Sequence, residues 1–188
     1  MTTIQYDLGG GASIALPADV AVKQLIEQLQ QGAQQVIVQR HHQIGEYLSD
    51  QGGIYVGDIR GDDGILYGLV TGSEQDIGRA KWGPDGKHEL SDWDGLTNTN
   101  HLRVICPAAK LAANYEADGH VDFYLPARRE MLIAMANVPR LFGKESWYWT
   151  SSPYGSSSAW AVDFEHGGVD SGDRFTEFRV RPFRRFAH

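Results

Sequence analysis

Side chains that could hold a metal ion are numerous in this chain of 188 residues, but their spacing matches no common metal-binding motif. The seven histidines are scattered, with neither an HExxH motif nor any paired spacing. The carboxylates of "RGDDG" and "SDWDG" lack the spacing of an EF-hand loop and are typical of turns. Calcium would need ligands that are distant in sequence. We therefore predict no metal ion and no other cofactor.

The residues that could act as nucleophiles also lack the motifs of catalysis. Cys106 is the only cysteine, so no disulfide forms within the chain, and its place before Pro107 is typical of a small buried hydrophobic residue. The serines of "SSPYGSSS" lack a GxSxG motif, and the glycines of "LGGGAS" match no phosphate-binding motif. We expect a protein that is not an enzyme.

Charge and hydropathy exclude two classes of partner. The formal net charge is −7 and no block of Lys or Arg precedes the C-terminal segment, so we expect no nucleic acid. In that closing segment, "RVRPFRRF", the arginines either pair with carboxylates or contact an anion or polymer. No stretch approaches ~20 apolar residues, so no membrane insertion is predicted, and the start "MTTIQYDLGGG" does not resemble a signal peptide.

The remaining chemistry lies in a segment rich in Tyr, Ser, Gly and Asp, from residue 154 to 175. Tyr offers rigid contact area, and Ser and Gly offer adaptable hydrogen bonding, as in antibody paratopes. The same composition is also typical of ordinary hairpin loops. The candidate ligand-binding residues are Tyr154, Ser156, Ser157, His166, Asp170, Asp173, Arg174 and Phe175.

The first 50 residues are predicted to form a separate N-terminal segment built on one amphipathic helix. Pro17 suits a first helical position, Gly32 suits the end, and one face carries an apolar stripe. That stripe consists of Val22, Leu25, Ile26 and Leu29. Because a single helix cannot bury its stripe alone, it packs either on the rest of the chain or on a copy of itself.

Residues 51–188 are predicted to form the main domain, which begins with a β-hairpin. Two strand-like runs, residues 54–60 and 65–71, flank the turn sequence "GDDG". After them, residues 73–95 are polar and contain glycine, so we expect a long loop held down by Trp82 and Trp93.

Helices are predicted next, delimited by prolines. Pro107 splits one helical region into two, and Pro126 and Pro139 bound a further helix. The apolar spacing in that last helix predicts a buried face. That face would consist of Met131, Leu132, Met135 and Ala136.

Strands are predicted at residues 147–151, 159–165 and 177–184, with a glycine turn in "EHGGVDSGD". Alternation places Trp160, Val162 and Phe164 on one heavy apolar face and small or acidic residues on the other, as in a half-buried strand. The predicted core residues are Trp149, Trp160, Phe164 and Val180, and Trp147 is expected beside them. Helices followed by an antiparallel meander indicate an α+β fold.

The order of "LPARRE", "WYWTSS", "SAWAVDF" and "RVRPFRR" resembles the bacterial and phage DUF1566 family, also called the Lcl C-terminal domain family. The resemblance extends over residues 52–186. The matching residues are Leu125, Pro126, Arg128, Glu130, Tyr148, Trp149, Ser151, Ala159, Trp160, Phe164, Val180, Arg181, Pro182 and Arg184. It implies a C-type-lectin-like fold that displays or recognises ligands. The calcium motifs of sugar-binding lectins and the cysteine pair of related oxidases are absent.

This resemblance leads to a functional hypothesis. The protein is expected to be a non-enzymatic ligand-recognition or virion protein, such as a phage tail or receptor-binding component that forms a homo-oligomer through its N-terminal segment. Its partner would be a host-surface glycan or protein receptor. The alternatives are a structural subunit whose loops contact neighbouring virion subunits, and the variable protein of a diversity-generating retroelement. The expected location is the virion, after synthesis in the bacterial cytoplasm from a phage or prophage gene.

Overall fold

A computed structural model of the protein describes residues 3–7, 13–36 and 42–188. The chain divides into two compact units, Met1–His41 and His42–His188. This boundary lies earlier than the predicted one at residue 50. The reason is that a short strand, β3 (Tyr47–Leu48), pairs with a strand of the second unit.

The first unit contains an antiparallel strand pair, β1 (Thr3–Asp7) and β2 (Ser13–Pro17), followed by helix α1 (Ala18–Val36). Pro17 ends β2 and does not begin the helix. The predicted helix end at Gly32 is wrong, because one glycine inside a helix costs only about 1 kcal/mol and does not by itself terminate it. Val22 and Ile26 are about half exposed. The side chains of Leu25 and Leu29 lie outside the described ones.

The second unit combines two β-sheets with three helices, so the fold is mixed α+β, as predicted. One sheet has the order β11-β5-β4-β3 and is antiparallel. Its other strands are β4 (Gly53–Arg60), β5 (Leu66–Thr71) and β11 (Phe183–Ala187). The second sheet has the order β6-β10-β7-β8-β9, in which only β10 and β7 run parallel. Its strands are β6 (Arg79–Lys81), β7 (Tyr148–Tyr154), β8 (Ser158–Asp163), β9 (Gly168–Asp173) and β10 (Glu177–Arg179).

Of two predictions about the first half of this unit, the hairpin is confirmed, and the long loop at residues 73–95 is confirmed only in part because it contains strand β6. Strands β4 and β5 form the expected hairpin, and Gly64 in its turn has a φ of +83°, which favours glycine. The loop that follows is anchored by Trp82 and Trp93, both of which are buried. The Trp82 indole N–H donates to the backbone oxygen of Thr150 at 2.8 Å, so the loop is fixed to β7.

The helices begin and end close to the predicted prolines. They are α2 (Gly95–Leu102), α3 (Pro107–Ala113) and α4 (Arg128–Asn137), and a 3-10 turn follows at Pro139–Leu141. The predicted buried face of α4 is partly wrong, since Leu132 and Ala136 are exposed. Met131 is buried as predicted, and Ala134 joins it, because both registers fit the helical period and the position of the sheet selects one.

The C-terminal strands differ from the prediction at two places. The expected glycine turn contains β9, a strand at the edge of the sheet whose small residues carry no alternating apolar signal. The expected strand at residues 177–184 is divided between β10 and β11, which belong to different sheets. Pro182 lies between them and lacks the N–H that a continuous ladder needs.

Two apolar clusters cover the two faces of the five-stranded sheet. One contains Val162 of β8 and Phe164, which follows that strand, and the other contains Trp149, Val180 and the two alanines of β8. The predicted half-buried strand is therefore buried on both faces along most of its length. Within the described ranges, no helix combines the length and the apolar composition needed to cross a membrane.

Candidate functional site

A bulge in β7 fixes, by hydrogen bonds, the loops at one end of the five-stranded sheet. The pairing of β7 with β8 shifts register between Trp149 and Pro153, and the three residues Thr150, Ser151 and Ser152 are fully buried. Thr150 Oγ1 donates to the oxygen of Trp160 at 2.8 Å, and Ser151 Oγ accepts the side-chain N–H of Asn98 at 3.1 Å. Ser152 Oγ accepts the N–H of Arg128 at 3.0 Å and donates to the oxygen of Ser91 at 3.1 Å. The start of α4 and the loop around residue 91 are thereby fixed beside the strand.

An aromatic platform, which we define as Tyr154, Trp160, Arg128 and Asp92, lies at this end. The rings of Tyr154 and Trp160 meet edge to face at 4.8 Å, and the Arg128 guanidinium lies 4.6 Å from the Trp160 ring centre. Arg128 is held in turn by Asp92, at 2.7 Å. The predicted core position of Trp160 is wrong, since its ring is half-buried. Helix α4 begins at Arg128 and leaves this end of the strand uncovered.

Arg174 lies inside the protein, although the sequence suggested a ligand contact. The residue is fully buried and its guanidinium lies 4.4 Å from the Trp82 ring centre. It donates to four backbone carbonyl oxygens at 2.9–3.1 Å, those of Pro84, Gly86, Gly155 and Ser158. The side chain cannot meet a ligand at the surface. It ties the loop at residues 84–86 to the turn between β7 and β8.

Two neighbouring turns, residues 155–157 and 173–176, form what we call the turn tip. The N–H of Arg174 donates to the oxygen of Ser157 at 3.2 Å, and the N–H of Gly86 donates to the oxygen of Ser156 at 2.8 Å. Asp173 accepts the N–H of Phe175 through Oδ1 at 2.8 Å. Phe175 is 55% exposed and Tyr154 is 51% exposed, so two aromatic side chains project from anchored backbone.

Two predicted site residues lie elsewhere. His166 is in the turn after β8, at the opposite end of that strand, with Nδ1 2.9 Å from Asp163 Oδ2. Its hydrogen bond to Asp163 holds the pKa of His166 above the ordinary value. Asp170 lies on β9 opposite Ala161, and therefore on the other sheet face from Trp160. The structure thus brings together Tyr154, Ser156, Ser157, Asp173 and Phe175, but not His166, Asp170 or the Arg174 side chain.

The start of α4 is fixed by a buried carboxyl group, that of Glu130. Its Oε2 accepts the N–H groups of Ala127 at 2.7 Å and Gly95 at 3.2 Å. Its Oε1 lies 2.7 Å from the Tyr124 hydroxyl group, which donates to it. Burial raises the pKa of Glu130 to about 8. Because Arg128 lies two residues earlier in the chain, this network determines where the platform arginine stands.

The other side chains that could take part in chemistry have structural roles. Cys106 is buried and caps α3, and burial raises the pKa of its thiol to about 12, so the prediction of a small buried residue is confirmed. In the part of the chain that the structure describes, no three His, Cys, Asp or Glu side chains are grouped so that they could hold a metal ion.

Sequence reasoning missed Trp160, Arg128 and Asp92 as surface groups. The alternation of β8 indicated only that Trp160 faces away from Ala161. Whether that face is covered depends on where α4 begins in space, which no local pattern reports.

No protein-family model matches the chain, and no curated protein matches it. The functional conclusion therefore depends on the site itself, together with the motif resemblance.

Proposed function

We propose that the protein is a non-enzymatic recognition protein whose ligand binds across the aromatic platform and the turn tip. The observation that carries this proposal is the anchoring of exposed rings. Tyr154 ends β7 beside the turn whose carbonyl oxygens Arg174 binds from inside the protein, and Phe175 directly follows this buried arginine. Rings on anchored backbone lose little conformational freedom on binding, so more of their contact energy contributes to affinity.

The chemistry of the surface suits a glycan or a protein receptor at the host surface. Tyr154 and Trp160 offer ring area, and the serines of the turn tip offer hydroxyl groups. Arg128 and Asp92 add a fixed pair of opposite charges at the edge. A surface with these groups can pack against an apolar sugar or side-chain face while it exchanges hydrogen bonds around it.

We place this surface on a C-type-lectin-like domain of the DUF1566 type, in the virion of a phage or in a prophage product. The resemblance of "LPARRE", "WYWTSS" and "SAWAVDF" supports this assignment. These motifs contribute Arg128, the buried bulge of β7 and Trp160 respectively, so they surround the proposed surface.

Self-association through the N-terminal segment forms part of the same proposal. Val22 and Ile26 on α1 are about half exposed, and a second copy of the segment would cover them. Several weak sites on one oligomer bind a repetitive surface much more tightly than one site does, because the later contacts form at a high effective concentration.

The proposal can be tested with the double variant Tyr154→Ala/Phe175→Ala. Both side chains are exposed, so the fold is expected to stay intact while adsorption of the labelled protein to host cells and to a glycan array falls at least tenfold. Tyr47→Ala is the matched control, since Tyr47 is 44% exposed but lies in the other sheet. Adsorption that is unchanged in the double variant overturns the recognition proposal. Normal adsorption combined with failed particle assembly would favour the structural virion subunit instead.

A further inference from the structure

A pocket of ≈ 210 Å³ lies on the five-stranded sheet, beside the edge strand β9. It is lined by Trp147, Asp170, Ser171, Gly172 and Phe178. Asp170 pairs with Ala161, whereas the next residue along β9 pairs with Trp160. Since side chains alternate along a strand, Asp170 and the pocket belong to the sheet face opposite Trp160.

The wall of the pocket is aromatic. The rings of Trp147 and Phe178 stack with their centres 6.4 Å apart, and both side chains are half-buried. Phe178 and Trp149 approach the backbone of β9 closely, because a Cβ atom at Gly172 would stand 2.5 Å from the Phe178 ring and 2.9 Å from the Trp149 ring. Glycine at this position therefore leaves room for the two rings against the strand.

A carboxylate without a counter-ion stands at the rim. Asp170 is exposed, its Oδ1 accepts the N–H of Ser171 at 2.7 Å, and no described Lys, Arg or His side chain forms an ion pair with it. Nearby carboxylates differ, since Arg179 binds both Asp76 and Glu145. Asp170 is thus the acidic residue of the pocket lining, and no described basic side chain neutralises its charge.

We propose that this pocket is a second binding site and that it takes an organic cation, namely an alkylammonium or guanidinium group. Ring faces attract such cations through their quadrupole, and a neighbouring carboxylate supplies the opposite charge. The volume is smaller than that of most drug-sized sites, so it suits a single cationic head and not an extended ligand. The net charge of −7 draws cations toward the protein in general. This site requires neither the aromatic platform nor the turn tip.

The test uses tetramethylammonium chloride and methylguanidinium chloride at constant ionic strength, with tert-butanol as an uncharged probe. The readout is the indole N–H resonance of Trp147, identified by its loss in Trp147→Phe. The indole group of Trp82 donates to a backbone oxygen inside the protein and does not line the pocket, so it serves as the internal reference. We expect a saturable shift of the Trp147 resonance with both cations, in the millimolar range, and none with tert-butanol.

Asp170→Asn keeps the acceptor for the Ser171 N–H and removes the charge, so we expect the dissociation constant to rise at least fivefold. Glu177→Gln is the matched control, because it removes the charge of an exposed residue next to Phe178 and should leave binding unchanged. Equal binding by Asp170→Asn, an equal response to tert-butanol, or no shift below ~50 mM overturns the proposal.

The cation has two candidate sources, the side chain of a protein partner and a free small ion. Titrations with capped arginine and capped lysine distinguish them. Tighter binding of these compounds than of the small ions indicates the side chain of a protein partner. Tighter binding of tetramethylammonium indicates a free quaternary ammonium ligand. Either result leaves the cation site itself supported.

Discussion

The two ends of the β7–β8 strand pair carry similar aromatic contacts with opposite consequences. At one end Phe164 stacks on Phe142 at 3.8 Å, and Tyr148 meets both rings edge to face. At the other end Tyr154 and Trp160 meet edge to face at 4.8 Å. The first group is buried, whereas Tyr154 is exposed and Trp160 is half-buried.

The difference in burial between the two groups of rings arises from α4 and not from the strands. Met131, Ala134 and Val138 pack into the same cluster as Tyr148 and Phe164, so the helix and its end seal that part of the sheet. Near the other end, only the side chain of Arg128, the first helical residue, lies over the Trp160 ring. Where a helix stops covering a sheet, the same pair of strands presents its rings to solvent and can become a binding surface.

The largest expected effect is a loss of stability that differs between the two ends of the β7–β8 strand pair. Phe164→Ala leaves a cavity among stacked rings and should lower the free energy of unfolding by about 3–5 kcal/mol. Trp160→Ala should cost only about 1–2 kcal/mol, because much of its ring already contacts water or Arg128. Urea denaturation of both variants measures the difference. Equal losses would show that the outer end is part of the core.

The second effect concerns the buried carboxyl group that fixes the start of α4. Because the pKa of Glu130 is raised to about 8 in the folded state, its contribution to stability is complete below the unfolded pKa near 4.5 and is lost as pH rises through about 8. The loss amounts to about 1.4 kcal/mol per pH unit within that window.

Glu130→Gln keeps acceptors for both N–H groups but cannot ionise, so its stability should lack this decline. Urea titrations of the two proteins at pH 5, 6, 7 and 8 provide the comparison. If the free energy of unfolding changes with pH in the same way in both proteins, Glu130 ionises as an ordinary carboxyl group. In that case α4 holds Arg128 equally well at every pH.

A third effect on stability is expected at the turn tip. Arg174→Met removes the donor to four carbonyl oxygens and should cost about 2–3 kcal/mol. Amide exchange should accelerate mainly at residues 85–86 and 155–158. Arg174→Lys keeps the charge but lacks the planar guanidinium group. Its stability should therefore lie between those of the unmodified protein and Arg174→Met. Uniform acceleration across both sheets would mean that Arg174 supports the whole fold and not this surface.

Elements with strong local signals were predictable from the chain. The turn at Gly64, the break at Pro107 and the helix between Pro126 and Pro139 each follow from residues that restrict their own backbone. Strand β9 was missed because its pattern of Gly, Asp and Ser is that of a turn. Only pairing with β8 makes it a strand, and such pairing is not encoded within six residues.

The candidate site was predictable in part for the same reason. Tyr154, Ser156 and Ser157 are neighbours in sequence, and one turn keeps them together. Asp170 and His166 are separated from them by the length and the faces of β8 and β9. Arg174 illustrates the converse, since an arginine beside exposed turn residues is buried by the carbonyl groups that converge on it from distant segments.

The sequence alone determined the α+β class, the hairpin, the helix boundaries set by proline and the absence of known catalytic motifs. Those properties depend on backbone restrictions and on the period of apolar residues, which act over a few neighbours. The tertiary structure decided which rings are core and which are surface, and which charges are matched. Burial and ion pairing depend on groups far apart in the chain, as Trp160 under Arg128 and Asp170 beside Trp147 both demonstrate.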